Sequence, residues 1–296
     1  MNSAPRLSAV ALAALLSCFC LASCAGKKQT PGRLAVVVSI PPQKYFVERV
    51  GGARVDASVL IGPGQSPHSY TPTPKQVAGL SDAALYFTVG VPMEETLVAK
   101  VREQQRGLKV VDMTRGIAHI KEREHATENG NHLHGEMDPH VWLNPRNAAA
   151  MVRTTAAELA ALDPAHKREY ESNRDTLLHD LAALDKSLAK TLAPFRGKRF
   201  YVYHPAFGYF GQAYGLEQVA VETGGKEPTA RRLEALVSQA RAEHVRVIFV
   251  QPQFSPKSAE RLALEIHGTV IPIDDLAEDY LGNMKRIARA LEKGLK

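Results

Sequence analysis

Cysteine is scarce in this chain and confined to one end of it. Only three cysteines occur in 296 residues, and all three lie within the first 24. Residues 25–296 therefore contain no thiol, which excludes disulfide bonds and thiolate ligands from the folded part. The folded part must be held together by its hydrophobic core, and any metal site in it must use histidine, carboxylate or water.

Two further absences narrow the function classes. The formal net charge is +6 and falls to +5 without Arg6, and there is no block of like charges, so we expect no nucleic-acid partner. Neither the His-Glu-x-x-His helix motif nor the Gly-x-Ser-x-Gly elbow occurs, which makes a secreted zinc hydrolase the weaker alternative.

The first residues resemble an export signal rather than a membrane span. Arg6 is followed by an apolar run over residues 10–22, which is shorter than the roughly 20 apolar residues of a spanning helix. Small residues before Cys24 resemble a bacterial lipobox, so residues 1–23 are predicted to be a lipoprotein signal and Cys24 the lipidated residue. Cleavage before Cys18, or an ordinary signal without lipid, is the alternative. Residues 24–33 would form the anchor and tether.

Short β-branched runs alternate with helical stretches through both halves of the chain. Strands are predicted over 34–40, 55–61, 83–89 and 108–113, and again over 199–203, 216–221, 245–250 and 270–273, with helices between them. This alternation is typical of α/β folds with mainly parallel sheets flanked by helices. We predict two lobes of this kind.

A long helical stretch separates the two halves. Residues 147–195 are nearly all helix formers, interrupted once at Asp163-Pro164, and the second piece would reach roughly 40 Å. Such a helix makes a stiff connector between lobes. The predicted organisation is an N-terminal metal-binding lobe over 34–163, a linking helix over 164–194 and a C-terminal metal-binding lobe over 195–296.

A polar loop over residues 117–136 interrupts the first lobe. It contains four histidines scattered among acidic and amide residues, namely His119, His125, His132 and His134. We predict a mobile surface loop from this composition. Its histidines are candidate accessory metal ligands, and a solvated loop that happens to contain histidine is the equal alternative.

Four candidate ligands follow predicted strands. His68, His140, His204 and Asp274 each come after a strand, two in each half of the chain. In doubly wound sheets, ligands bind beyond the carboxyl ends of the strands. The even division predicts one metal site in a cleft between the lobes.

The composition of this ligand set favours zinc. Three neutral imidazoles and one carboxylate form the tetrahedral nitrogen and oxygen shell that Zn²⁺ prefers, whereas manganese and magnesium prefer more oxygen. A complete shell leaves no position for an activated water, so it indicates binding rather than catalysis. We therefore predict that the protein is not an enzyme.

Four stretches resemble the metal-binding solute receptors of ABC importers, the zinc/manganese cluster with the TroA-like fold that includes ZnuA-type receptors. They occur in family order, at residues 67–74, 137–145, 204–216 and 273–276. The resemblance implies two lobes joined by a rigid backbone helix, with metal ligands at His68, His140 and His204. The family's last ligand is an aspartate before Pro-Leu, and Asp274-Asp275-Leu276 departs from that pattern. The fourth ligand is thus Asp274 or Asp275, and the strand phase favours Asp274.

The resemblance also implies the function and partners. It implies a high-affinity zinc receptor in the periplasm or on the cell surface that delivers Zn²⁺ to an ABC permease. The predicted lipid on Cys24 would anchor it to the membrane, and nothing in the sequence suggests anything beyond a monomer. A metallochaperone is a candidate second partner. A manganese or iron receptor and a metal-stabilised adhesin lipoprotein are the alternatives. Imidazole must be neutral to bind metal, so we expect the zinc affinity to decrease as the pH drops below about 6.5.

Several other residues have weaker predicted roles. Trp142 is expected to be a core anchor behind His140. Glu222 is interpreted as part of a turn leading into a helix, with a place near the cleft as the alternative. Gln251 and Gln253 end a predicted strand and are candidates for an amide that supports a metal ligand.

Overall fold

The structure is a computed structural model that describes residues 32–104, 107–121, 137–222 and 226–296. The predicted signal, Cys24 and most of the His-containing loop lie outside these residues. Within the described ranges, none of the helices combines the length and the apolar character needed to span a membrane.

The first half of the described chain forms a four-stranded parallel sheet. Its strand order is β2-β1-β3-β4. The strands are β1 (Leu34–Val38), β2 (Val55–Val59), β3 (Leu85–Thr88) and β4 (Lys109–Asp112), and the helices between them are α1 (Pro41–Gly51), α2 (Pro74–Gly79) and α3 (Met93–Gln104). Every residue of β3 is buried, as expected for a strand covered by helices on both faces.

The second half repeats this arrangement. A second parallel sheet has the order β6-β5-β7-β8, which is the same crossover pattern as in the first sheet. Its strands are β5 (Arg199–Val202), β6 (Glu217–Ala220), β7 (Val247–Val250) and β8 (Thr269–Pro272), and its helices are α6 (Gly208–Tyr214), α7 (Ala230–Ala242), α8 (Lys257–Glu265) and α9 (Tyr280–Leu295). The sequence shows no residue-level repeat, so the common topology is visible only in the structure.

Side-chain caps fix where several helices begin. The Thr73 hydroxyl accepts a hydrogen bond from the Gln76 N–H, and Pro74 fills the first helical position of α2. Helix α4 (Pro145–Leu162) begins in the same way, because the Asn144 side chain accepts from the Arg146 N–H. Capping of this kind satisfies N–H groups that have no partner inside the helix. It also fixes the chain direction just after His68 and His140.

A long helix, α5 (Lys167–Leu192), contacts helices of both halves of the chain. Its 26 residues make it about 39 Å long. Near its start, Glu169 pairs with Arg54 of the first half at 3.0 Å. Further along, Asp185 accepts a hydrogen bond from Tyr214 of the second half at 3.0 Å. The predicted two-lobe α/β class with a long linking helix is confirmed.

One hydrophobic cluster extends through both lobes. It includes side chains of the first sheet, of α1, α4, α5 and α9, and of one face of the second sheet. For example, the ring of Tyr280 in α9 lies 4.8 Å from that of Phe46 in α1. Such packing resists separation of the lobes. The boundaries at residues 163–164 and 194–195 stay predictions.

Buried hydrogen bonds also join the lobes beside His140. The Trp142 indole N–H donates to the Asp275 carbonyl oxygen at 2.7 Å, and the Tyr280 hydroxyl donates to the Trp142 carbonyl oxygen at 2.7 Å. Trp142 is fully buried and its ring centroid lies 5.3 Å from that of His140. The predicted role of Trp142 as a core anchor behind His140 is confirmed.

Candidate metal centre

Three of the predicted ligands meet at the carboxyl ends of the two sheets. His68 lies in the loop after β2, and His204 comes two residues after β5. His140 directly precedes a 3₁₀ turn, Val141–Leu143, that leads into α4. Because parallel strands end at the same edge of a sheet, these loops bring side chains from both lobes to one point.

The three imidazoles face one another through the same ring nitrogen. The Nε2 atom of His204 lies 3.1 Å from that of His68 and 3.2 Å from that of His140, and the third separation, between His68 and His140, is 3.3 Å. Among the described residues, these three form the only group of His, Cys, Asp or Glu ligand atoms compact enough to hold a metal ion.

The spacing matches a tetrahedral zinc site. Ligands at 2.0–2.1 Å from a tetrahedral ion lie about 3.3–3.4 Å apart. The nitrogen separations of 3.1–3.3 Å are close to this value. A cation between the three nitrogens would also relieve the repulsion between lone pairs that point at each other.

Burial keeps these histidines neutral. It lowers the pKa of His140 to about 3, and burial together with the neighbouring imidazoles lowers the pKa of His68 to about 3. The pKa of His204 is also held well below its usual value, mainly by burial. Neutral imidazole is the form that binds metal, so the folded site is ready to bind without first losing protons.

Buried groups hold His140 and His204 from behind. The Nδ1 atom of His140 lies 2.8 Å from Asp138 Oδ1, and that of His204 lies 2.5 Å from Glu222 Oε1. The Gln251 amide accepts from the His204 N–H at 3.2 Å and donates to the His204 carbonyl at 2.7 Å. Of the two candidate amides, Gln251 is the one that contacts a histidine of the site.

Of the two interpretations of Glu222, the structure supports the alternative, a place near the site. Its side chain is 1% exposed and bonded to a histidine of the site. Strands β5 and β6 pair Val202 with Ala220, so His204 and Glu222 both lie two residues beyond paired positions. Glu222 could have been predicted to contact His204 only from this register. That requires knowing that β6 pairs with β5.

Comparison with known proteins identifies the family. Residues 36–294 match the family model described as "ZnuA: Zinc-uptake complex component A periplasmic". The chain belongs to the ZnuA family. It is 33% identical over 266 residues to the high-affinity zinc uptake system protein ZnuA of Bacillus subtilis, covering 85% of this chain and 83% of that protein.

Two other relatives of this ZnuA-family chain are informative. The zinc-binding lipoprotein AdcA of Streptococcus pneumoniae serotype 4 is 32% identical over 298 residues, and the match covers 96% of this chain but 59% of AdcA. The crystal structure of a zinc-bound deletion mutant of ZnuA superposes with a TM-score of 0.82 at 35% identity, covering 89% of this chain and 98% of that one. The TroA-like fold predicted from the sequence motifs is confirmed.

The fourth predicted ligand is placed differently from the three histidines. Asp274 Oδ1 accepts hydrogen bonds from Gln253 Nε2 at 2.8 Å and from the Leu276 N–H at 2.9 Å. Asp275 is buried, and burial raises its pKa to about 7. Neither carboxylate belongs to the compact histidine group. The choice of Asp274 or Asp275 as a fourth ligand stays a prediction.

Only one of the four candidate accessory ligands lies within the described residues. His119 is exposed, and its Nε2 atom lies 3.4 Å from the Thr114 hydroxyl, outside the compact group. His125, His132 and His134 lie outside the described residues. The described residues on either side of that segment pair with each other, because Lys121 and Met137 form an isolated antiparallel bridge.

Proposed function

We propose that this chain is the extracytoplasmic zinc receptor of an ABC importer, with His68, His140 and His204 as its metal ligands. The observation that carries the proposal is the set of three mutual Nε2 separations between 3.1 and 3.3 Å. Membership of the ZnuA family, described as a zinc-uptake component, supports the same conclusion.

The chemistry of the site favours zinc over manganese. All three clustered ligands are imidazole nitrogens, whereas Mn²⁺ is typically bound by more oxygen ligands. Asp274 is the proposed fourth ligand, with Asp275 as the alternative. The protein then acts by binding and releasing an ion, and no catalytic residue is required.

Capture would begin at His68. It is half-buried, whereas His140 and His204 are each 3% exposed, so His68 meets an entering ion first. The ion then bridges loops from both lobes. Because α5 and a common hydrophobic cluster join the lobes, release requires a small tilt or a loop rearrangement rather than a wide hinge motion.

The receptor would work at the outer face of a membrane. We propose that Cys24 carries a lipid that anchors the monomer in the periplasm or on the cell surface. The docking partner is an ABC permease, the kind of transporter with which ZnuA-family receptors work. Loading by a metallochaperone and accessory binding by His119, His125, His132 and His134 are further proposals.

The function is tested by metal content and competition. The purified protein should contain or take up one zinc per chain and should retain it against a large excess of manganese. A chelator of known zinc affinity gives the dissociation constant. Failure to bind zinc, or preferential retention of manganese, would contradict the zinc assignment.

The buried setting changes the expected pH dependence. Three imidazoles with ordinary pKa values near 6.5 would weaken binding by about 10⁴-fold between pH 7 and pH 5. The pKa of His68 and of His140 is about 3, below the ordinary value, so proton competition at these rings begins only near that pH. We therefore expect less than about a 100-fold loss over this range, allowing for one proton on Asp138, whose pKa burial raises to about 7. Competition titrations at pH 7, 6 and 5 measure the difference, and a 10⁴-fold loss would contradict the buried-imidazole account.

A further inference from the structure

Two buried carboxylates contact the outer nitrogens of two of the three histidines. Asp138 and Glu222 are each 1% exposed, and the histidines that they contact, His140 and His204, are each 3% exposed. The separations from Nδ1 to carboxylate oxygen are 2.8 Å and 2.5 Å. Carboxylates so far from water require a strong compensating interaction.

The two carboxylates reach the site by unrelated routes. Asp138 lies two residues before His140, and its Oδ1 also accepts the His140 backbone N–H at 2.9 Å. Glu222 approaches His204 from the neighbouring strand β6, and its backbone N–H donates to the Tyr203 carbonyl oxygen at 3.0 Å. The same histidine–carboxylate pair is therefore built once in each lobe.

We propose that Asp138 and Glu222 are positioning residues that hold the hydrogen of His140 and His204 on Nδ1, so that both Nε2 lone pairs point at the ion. This inference rests on the proposed zinc function. A neutral imidazole has one N–H, and an acceptor at Nδ1 selects the tautomer with a free Nε2. Without the acceptor, part of the population carries hydrogen on Nε2 and cannot bind.

The same carboxylates also suit the charge of the ion. Three neutral imidazoles leave both charges of a divalent cation uncompensated in a buried site, which is unfavourable. A bound cation favours the ionised forms of Asp138 and Glu222, and each then places one negative charge one hydrogen bond away from the ligand rings. The charge of a divalent ion is therefore balanced even before any carboxylate binds the ion directly.

The chain contains a matched pair away from the site. Asp163 Oδ2 lies 2.7 Å from Nδ1 of His166, at the turn between α4 and α5. This pair has the same chemistry and nearly the same distance, but both side chains are partly exposed. It separates an effect of the proposed positioning from a general effect of removing an aspartate–histidine hydrogen bond.

The test compares zinc dissociation constants of Asp138→Asn, Glu222→Gln and the control Asp163→Asn with that of the wild type. We expect each site variant to bind zinc about 10 to 100 times more weakly and the control to change by less than about threefold. Asp138→Glu and Glu222→Asp, which keep the charge, should recover part of the loss. Thermal unfolding of the metal-free proteins checks that each variant is folded.

Histidine tautomers give a second readout that a purely structural role would not change. In ¹⁵N NMR spectra of metal-free protein, we expect His140 and His204 to carry hydrogen on Nδ1 in the wild type. The fraction with hydrogen on Nε2 should rise for His140 in Asp138→Asn and for His204 in Glu222→Gln. Unchanged tautomers, or unchanged zinc affinity in the two variants, would overturn the positioning role. A wild type that fails to bind zinc would instead overturn the proposed function.

Discussion

Replacing His204 by alanine should weaken zinc binding by about 100- to 1,000-fold. Protein zinc sites bind with about 10–16 kcal/mol over four ligands, so one ligand accounts for roughly 3–4 kcal/mol. His204 is the proposed histidine ligand from the second lobe, and its Nε2 lies within 3.2 Å of both other imidazole nitrogens. Its loss leaves the second lobe with only the proposed carboxylate ligand, Asp274.

Intrinsic tryptophan fluorescence can be used to follow the zinc titration. Trp142 is the only tryptophan in the chain, and its ring lies 5.3 Å from that of His140, so its fluorescence should respond to zinc. His179→Ala is the matched control, because this exposed histidine lies on α5 outside the compact histidine group. Tight zinc binding that survives in His204→Ala would move the site to the loop at residues 117–136 and would refute a site shared by the lobes.

Removing zinc with a chelator should lower the thermal unfolding midpoint by about 8–16 °C. At free zinc 1,000 times the dissociation constant, binding stabilises the folded state by about 4.1 kcal/mol. For a domain of this size, each kcal/mol corresponds to about 2–4 °C. The ion stabilises the fold because it joins loops that are far apart in sequence, at His68, His140 and His204.

Differential scanning calorimetry with and without zinc measures this shift. The His204→Ala protein is the control, since its 100- to 1,000-fold weaker binding should give at most about a third of the wild-type shift at the same zinc concentration. Equal midpoints for the zinc-loaded and chelated wild type would mean that zinc does not bind the folded state selectively.

Much of the fold follows from local patterns. The alternation of β-branched runs with helical stretches predicted both parallel sheets, and Asp163-Pro164 marked the break between α4 and α5. These features depend on neighbours in sequence, which is why they are readable without the structure. Strand ends differ by one or two residues, as for β1, which ends at Val38 rather than at Ile40.

The clustering of His68, His140 and His204 was predictable for a related reason. His68, His140 and His204 each follow a strand of a parallel sheet, and parallel strands end at a common edge. Asp274 also follows a strand, yet its carboxylate is bonded to Gln253 and Leu276. Position at a strand end therefore brings a residue to the right edge but does not determine which way its side chain points.

The residues that contact the site histidines could not be predicted from the sequence in the same way. Glu222 is adjacent to His204 only through the pairing of β5 with β6, which is a long-range property of the sheet. The depressed pKa values of the histidines arise mainly from burial where loops of both lobes meet. The hydrophobic cluster common to both lobes is equally invisible in sequence, where the lobes look like separate units.

The central claim is that one zinc ion joins histidines of both lobes. A crystal of the zinc-loaded protein, with anomalous data collected above and below the zinc absorption edge, tests it most directly. We expect one strong zinc peak about 2.0–2.1 Å from Nε2 of His68, His140 and His204. A peak bound by first-lobe histidines only, or located in the loop at residues 117–136, would contradict the account.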